Sequence, residues 1–351
     1  MSRISLLLAL SLWLAGPALA APSLVAEPQS LEFDQVTEGI LVRAVFVLTN
    51  AGDEPLRFPR QPSTSCGCTN APLPRDELAP GESLELTVYF DSTGFGGQDV
   101  ERQVMLYTND PQREEFPLTI KGRVENALPF QDSASSLNYS FYLLVDLRSP
   151  EEYARGHLLG AVNIPLGELA GLLDRLPREA VIYLYDDTGE EGVQAAQLLQ
   201  DGGYAAARAI AGGLVGWWNA MGDSFLVWGG GVEPAPPAGV PHYGGYAVQP
   251  QYVARSYQVL VDLRSLEEYA AGHFPGAVNL SLSEIPAWAA GLPPMGQGRL
   301  YLWCVDADGT VACQAAQWLQ ENGYPDARCL TGGLGEWLAR YGDDLLWPEG
   351  R

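Results

Sequence analysis

The sequence predicts a multidomain chain, a small all-β sandwich followed by two α/β domains built on parallel sheets. Three observations carry this. Residues 24–125 alternate apolar and polar side chains in short runs separated by turn residues. From about residue 136, short apolar strands alternate with helical stretches. That second pattern then occurs again, the block at Asp146 returning at Asp262 with an offset of 116.

The N-terminus reads as a secretory signal over 1–20. Arg3 supplies a positive start, Leu6 to Leu14 an apolar run, and Ala18-Leu19-Ala20 a small-x-small cleavage site. An uncleaved anchor is the alternative, but the run is short for a span and ends in Gly16-Pro17. No cysteine follows the cleavage site, so no lipid anchor is expected, and no later segment is apolar enough to span. The mature chain is expected in the periplasm or secreted, with no stable membrane anchor.

The full chain has 351 residues, 47% apolar, with a net charge of -23. That content supports real cores. The charge repels nucleic-acid phosphates and anionic lipid, so no nucleic-acid partner is expected. Solubility explains the charge better than an acidic binding face does. Five cysteines are too few for a disulfide scaffold, and their odd number leaves at least one thiol unpaired within the chain.

In the first domain, 21–125, the runs are Val42 to Leu48, Leu84 to Phe90, Val104 to Tyr107 and Phe116 to Ile120. Turn signals lie between them at Asn50-Ala51-Gly52-Asp53, Pro80-Gly81-Glu82, Gly94 to Gly97 and Asn109-Asp110-Pro111. Strands at this spacing without helical stretches predict a sandwich.

The repeat is extensive. Asp146-Leu-Arg-Ser-Pro-Glu-Glu-Tyr-Ala-Arg-Gly-His157 returns as Asp262-Leu-Arg-Ser-Leu-Glu-Glu-Tyr-Ala-Ala-Gly-His273. Gly160-Ala-Val-Asn163 returns at Gly276, and Gly212-Gly213-Leu214 with Trp217 returns at Gly332 with Trp337. The period is too long for a solenoid and predicts two tandem domains, 136–228 and 251–347. Between them, 229–250 is rich in Gly and Pro and reads as a linker, which packing of Tyr243 and Tyr246 would pin.

These motifs, twice and in order, resemble the rhodanese family over nearly the whole of both units. Active members carry a cysteine after a central strand, opening a Cys-x-x-Gly-x-Arg loop that curls into a helix. A thiolate among loop amides at a helix N-terminus has a lowered pKa and can carry a transferable sulfur. Here the loop Asp186-Asp-Thr-Gly-Glu-Glu191 puts Asp186, Gly189 and Glu191 at the cysteine, glycine and arginine positions. The second loop puts Asp306, Gly309 and Val311 there. No catalytic residue is therefore expected at either loop. Aspartate forms no persulfide, and its charge repels an anionic sulfur donor.

Two readings of the aspartates stand. Each is simply a good N-cap, or each fills the loop's anion cradle from within. Cation binding by Asp186, Asp187, Glu190 and Glu191, or by Asp306 and Asp308, matches no calcium loop well. The resemblance also implies that His157 and His273 are hydrogen-bonded structural residues, and that Arg148 and Arg264 pair with acidic neighbours.

Cys304, Cys313 and Cys329 correspond to Leu184, Val193 and Ala209 in the first copy, all apolar, so buried structural cysteine leads. The resemblance places the strands carrying Cys304 and Cys329 side by side, which would allow a disulfide between them. Cys304 is the alternative thiol for any sulfur chemistry.

The first domain resembles a family of immunoglobulin-like bacterial domains without an assigned function. The shared signs are Phe33-x-x-Val36-x-x-Gly39, Val47-Leu48-Thr49-Asn50-x-Gly52, Ser65-Cys66-Gly67-Cys68-Thr69, Pro80-Gly81-Glu82 and Thr108-Asn109-Asp110-Pro111. Cys66 and Cys68 have three readings: a soft-metal or redox pair, a tight disulfide, or an inert loop element. No histidine is near them, and two thiolates alone are a thin set for zinc.

The leading functional reading is an exported, non-catalytic rhodanese-like binding or scaffold protein linked to sulfur or thiol metabolism, with a protein partner and no cofactor. A sulfurtransferase using a non-standard cysteine, and a metal or redox role for Cys66 and Cys68, are the alternatives.

Overall fold

The computed structural model describes residues 20–230 and 235–348. The signal segment expected at 1–20 lies outside them except for Ala20. The chain divides into two compact units. One holds the segments up to Gln35, Val42–Asp91 and Asp99–Arg123; the other holds Val36–Leu41, Ser92–Gln98 and everything from Val124 onward.

The first unit is all-β. One sheet runs in the order Leu24–Glu27, Leu41–Asn50, Ser83–Asp91, Thr69–Asn70. The other runs Ser30–Glu32, Glu115–Glu125, Gln98–Tyr107, Ser63–Thr64. Alternation of side chains across a pleated strand decides which residues enter the core. Along Leu41–Asn50 the inward set is Val42, Ala44, Phe46, Leu48 and Asn50, while Val45 and Val47 stay exposed. Leu84, Leu86, Val88 and Phe90 of the neighbouring strand Ser83–Asp91 extend the same inward layer.

The second unit holds two five-stranded sheets, each parallel throughout. The first orders Val162–Asn163, Tyr142–Asp146, Val181–Tyr185, Ala207–Ile210 and Ala247–Val248. The second orders Gln131–Asp132, Ala327–Leu330, Leu300–Val305, Tyr257–Asp262 and Val278–Asn279. The central strands are apolar on both faces because helices cover both sides, as parallel sheets require. Helices Pro150–Arg155 and Leu266–Ala271 each begin with a reciprocal capping box, Ser149 with Glu152 and Ser265 with Glu268.

The edge strands are exchanged. Gln131–Asp132 precedes the first copy in sequence yet pairs with Cys329 and Leu330 of the second. Ala247–Val248 precedes the second copy yet pairs with Ala209 and Ile210 of the first. The helices that follow go with their strands: Ala134–Ser140 packs with Gly333–Tyr341, and Pro250–Ala254 with Gly213–Met221. One core cluster accordingly draws on both copies, with Tyr257 stacked on Phe225 at 4.1 Å and edge-on to Trp217. The Tyr257 hydroxyl donates to the Leu159 carbonyl at 2.7 Å.

Residues 242–248 of the Gly/Pro-rich segment are held by their backbone. Ala209 and Ala211 donate to the carbonyls of Tyr246 and Val248, Gly212 donates to His242, and His242 donates to Thr188. Tyr243 and Tyr246, whose packing could have pinned it, are 61% and 43% exposed. Main-chain pairing with a sheet edge needs no side-chain burial.

Candidate functional site

Each central strand ends in one of the two acidic loops. Asp186 follows Val181–Tyr185 and is 5% exposed. Its Oδ1 accepts the Gly189 amide at 2.8 Å and the Gly192 amide at 3.2 Å, and its Oδ2 accepts the Thr188 amide at 3.2 Å. Asp306 follows Leu300–Val305, also 5% exposed, and accepts the amides of Gly309 at 2.5 Å and Val311 at 2.7 Å. The helices Glu190–Asp201 and Thr310–Glu321 start here, with Gly189 and Gly309 as left-handed caps. The N-terminal N–H groups that would hold an external anion therefore already have an internal carboxylate.

The Gly-Gly pairs have a steric reason. Gly213 and Gly333 have φ of +56° and +61°, and a Cβ on either would collide with the acidic loop's backbone. The loop's own carbonyls receive the following helix: Leu214 and Val215 donate to Asp186 and Asp187, and Leu334 and Gly335 donate to Asp306 and Ala307.

Asp146 and Arg148 brace the first loop. Arg148 Nε and Nη2 donate to the two oxygens of Asp146 at 2.9 and 2.6 Å, Nη2 reaches the Gly156 carbonyl, and Nη1 reaches Asp187 at 3.2 Å. Arg264 repeats the fork on Asp262 and the Gly272 carbonyl. Ala307 occupies the position of Asp187 there, so the second fork has no loop carboxylate. Asn163 and Asn279 each donate to the two carbonyls flanking the brace.

The first site is electronegative. Burial pushes the Asp187 carboxyl above the usual aspartate range, although Arg148 pulls it back. Glu191 is raised by burial and by the charges of Asp186, Glu152, Asp187 and Glu190. A cavity of about 220 Å³ beside the loop is lined by Arg148, Glu152, Arg155, Asp187, Trp228 and Pro237 among others. The acidic loops do not gather cation ligands: Asp186 spends its oxygens on amides and Asp187 on Arg148. Among the described residues no group of three or more His, Cys, Asp or Glu is placed to hold a metal ion.

His157 and His273 stand off these loops. Each Nδ1 lies 2.9 Å from the carbonyl of its own tyrosine, Tyr153 or Tyr269, and each ring stacks on that tyrosine. A carbonyl can only accept, so Nδ1 carries the proton.

The cysteine expectations need one correction. The disulfide in the second copy joins Cys313 to Cys329, with a Cα–Cα distance of 4.8 Å, and Cys304 is left as a buried free thiol. Cys304 and Cys329 are indeed opposite each other on adjacent strands. Packing of helix Thr310–Glu321 onto strand Ala327–Leu330 offers Cys329 a second partner, and a sulfur makes only one such bond. Cys304 is fully buried, and burial together with Asp306 pushes its pKa up to about 12. Cys66 and Cys68 are bonded to each other, so neither is a thiolate ligand in this state.

Sequence reasoning singled out the loop positions and the pairing of Arg148 and Arg264 with acidic neighbours, but missed the Gly192 amide, the choice of Asp187 as a partner of Arg148 and the His242 contacts. Gly192 in the helix's first turn was a usable signal. The other two join residues with no motif between them.

A parallel sheet whose central strand opens into a loop of amides closed on an internal aspartate at a helix N-terminus defines an α/β domain that is present twice. The rhodanese-like domain model matches residues 130–220 and 250–340, and the chain belongs to the rhodanese-like family. Residues 24–124 match a second family, described as a protein of unknown function, DUF1573.

An uncharacterized protein of Bacillus subtilis, YqhL, is 35% identical over 74 residues, 21% of this chain and 59% of that protein. A sulfurtransferase of Allochromatium vinosum is 29% identical over 75 residues, 21% of this chain and 70% of that protein. The chain thus spans 59% and 70% of the lengths of these two relatives. The crystal structure of a thiosulfate sulfurtransferase from Pseudomonas aeruginosa is similar over 61% of this chain and 42% of that one, at 24% identity and a TM-score of 0.23.

Proposed function

We propose that this is an exported rhodanese-like protein that transfers no sulfur at either loop and serves as a binding or scaffold protein for a protein partner in sulfur or thiol metabolism. The observation that carries the reading is the carboxylate of Asp186 or Asp306 in hydrogen-bond contact with the amides that a persulfide and its anionic donor would need. The raised pKa of Glu191 adds to it, because the position at which active relatives carry a cation sits in negative potential. Export rests on the 1–20 pattern, and two disulfides fit an oxidising compartment.

Thiosulfate-to-cyanide sulfur transfer by purified mature protein is the test. No turnover above buffer is expected, and measurable turnover overturns the reading. Turnover abolished by Cys304→Ser would establish the sulfurtransferase alternative instead. Burial and the raised pKa of that thiol speak against it.

A further inference from the structure

We propose that Cys66–Cys68 is a reversible thiol–disulfide exchange centre that oxidises an external dithiol. The chain holds two disulfides of opposite character. Cys313–Cys329 ties a helix to a strand across a sequence separation of 16, with Cys329 fully buried. Cys66–Cys68 spans a separation of 2 on a half-buried loop. Closing so short a loop removes about half as much entropy from the unfolded chain, so this bridge contributes less to folding. Bridges that an external thiol can reach are also the ones that exchange.

Three features of the loop suit exchange. The loop is open to solvent: Gly67 is exposed, a Cβ on it would meet nothing within 4 Å, and Cys66 and Cys68 are only partly buried. The backbone of both cysteines is held without the bond. The Cys66 carbonyl accepts from the Thr69 amide and the Thr64 hydroxyl, at 3.2 and 3.0 Å, and the Cys68 carbonyl accepts from the Asp91 amide at 2.8 Å. Reduction therefore leaves the two sulfurs adjacent and ready to close again. Finally, the Thr69 hydroxyl, on a residue only 5% exposed, lies 3.4 Å from Cys66 Sγ and 3.7 Å from Cys68 Sγ. It can donate to the thiolate that leaves, and Cys66 Sγ is the nearer of the two sulfurs.

The exchange balances. A thiolate of the dithiol attacks Cys68 Sγ, an S–S bond forms, and the Cys66–Cys68 bond breaks with its electron pair on Cys66. The second thiol of the dithiol then attacks the mixed disulfide and displaces Cys68. The dithiol ends as a disulfide, having lost two electrons and two protons, and Cys66 and Cys68 end as two thiols. Thr69 is a positioning residue in this scheme.

The test is to titrate the folded mature chain with reduced and oxidised dithiothreitol, quench by alkylation, and read each cysteine peptide by mass. Cys66–Cys68 should open and re-form reversibly, about a hundredfold faster than Cys313–Cys329. Thr69→Val should slow opening about fivefold, the effect of one hydrogen bond, and Thr69→Ser should restore it. Opening no faster than Cys313–Cys329, or only on unfolding, overturns the proposal. An unchanged rate in Thr69→Val removes Thr69 from it.

Discussion

The Asp186 carboxylate accepts the Gly189 amide at 2.8 Å, closing the loop on itself where an external anion would bind. Asp306 does the same to Gly309 in the second copy. In both copies a carboxylate of the chain itself thus occupies the cradle of amides.

Removing that carboxylate should be costly. Asp186→Ala leaves the Thr188, Gly189 and Gly192 amides without their acceptor, and about 2–4 kcal/mol of stability should be lost. Asp186→Asn retains one acceptor oxygen and should lose about half as much. Urea denaturation of the three proteins measures both. Equal stability of all three would show that water replaces the carboxylate without penalty.

The Asp146–Arg148 brace should respond asymmetrically. Asp146 is fully buried and Arg148 is 9% exposed. Arg148→Met strands a buried carboxylate and should cost about 3–5 kcal/mol, whereas Asp146→Asn combined with Arg148→Met should recover part of it. Thermal melts of the single and double variants read the difference.

Stability should depend on His157 below neutral pH. Burial lowers its pKa in the folded state, although its bond to the Tyr153 carbonyl opposes this. The unfolded chain then binds more protons in the window below about pH 6.5, so the contribution present above that value is lost as pH falls through the depressed folded value. Chemical denaturation between pH 7 and 5 should give a steeper decline for the native chain than for His157→Gln. Parallel curves would count against it.

The cysteines of the second copy should divide cleanly. Cys304, fully buried with its pKa pushed up to about 12, should resist iodoacetamide in the folded chain and react on unfolding. Cys313→Ala should cost about 3 kcal/mol, the effect of opening a loop of roughly this size. Peptide mapping after alkylation and a melt of the variant check the two statements.

The exchanged strands should make the copies interdependent. A fragment spanning 251–347 lacks Gln131–Asp132 and helix Ala134–Ser140, which complete its sheet and cover Trp337. It should show weak, non-cooperative unfolding by circular dichroism, and one spanning 129–347 should unfold cooperatively. A sharp transition in the shorter fragment would mean the exchange is dispensable.

The amino-acid sequence alone determined whatever is local or repeated. Val42 to Leu48 and Leu84 to Phe90 show a period of two because every second side chain must enter the core. The tandem units and the paired Asp186 and Asp306 were legible because the second copy served as a control for the first. Tertiary structure decided whatever depends on a distant partner. Gln131–Asp132 is too short to carry a pairing preference, so the edge it joins is set by the packing of Ala134 and Leu137 in the cluster that contains Trp337. Cys329 had two candidate partners in the chain, and only the packing of helix Thr310–Glu321 brought Cys313 to 4.8 Å. The hold of His242 on Thr188 and Gly212 is made by backbone groups, which every residue carries and no motif announces.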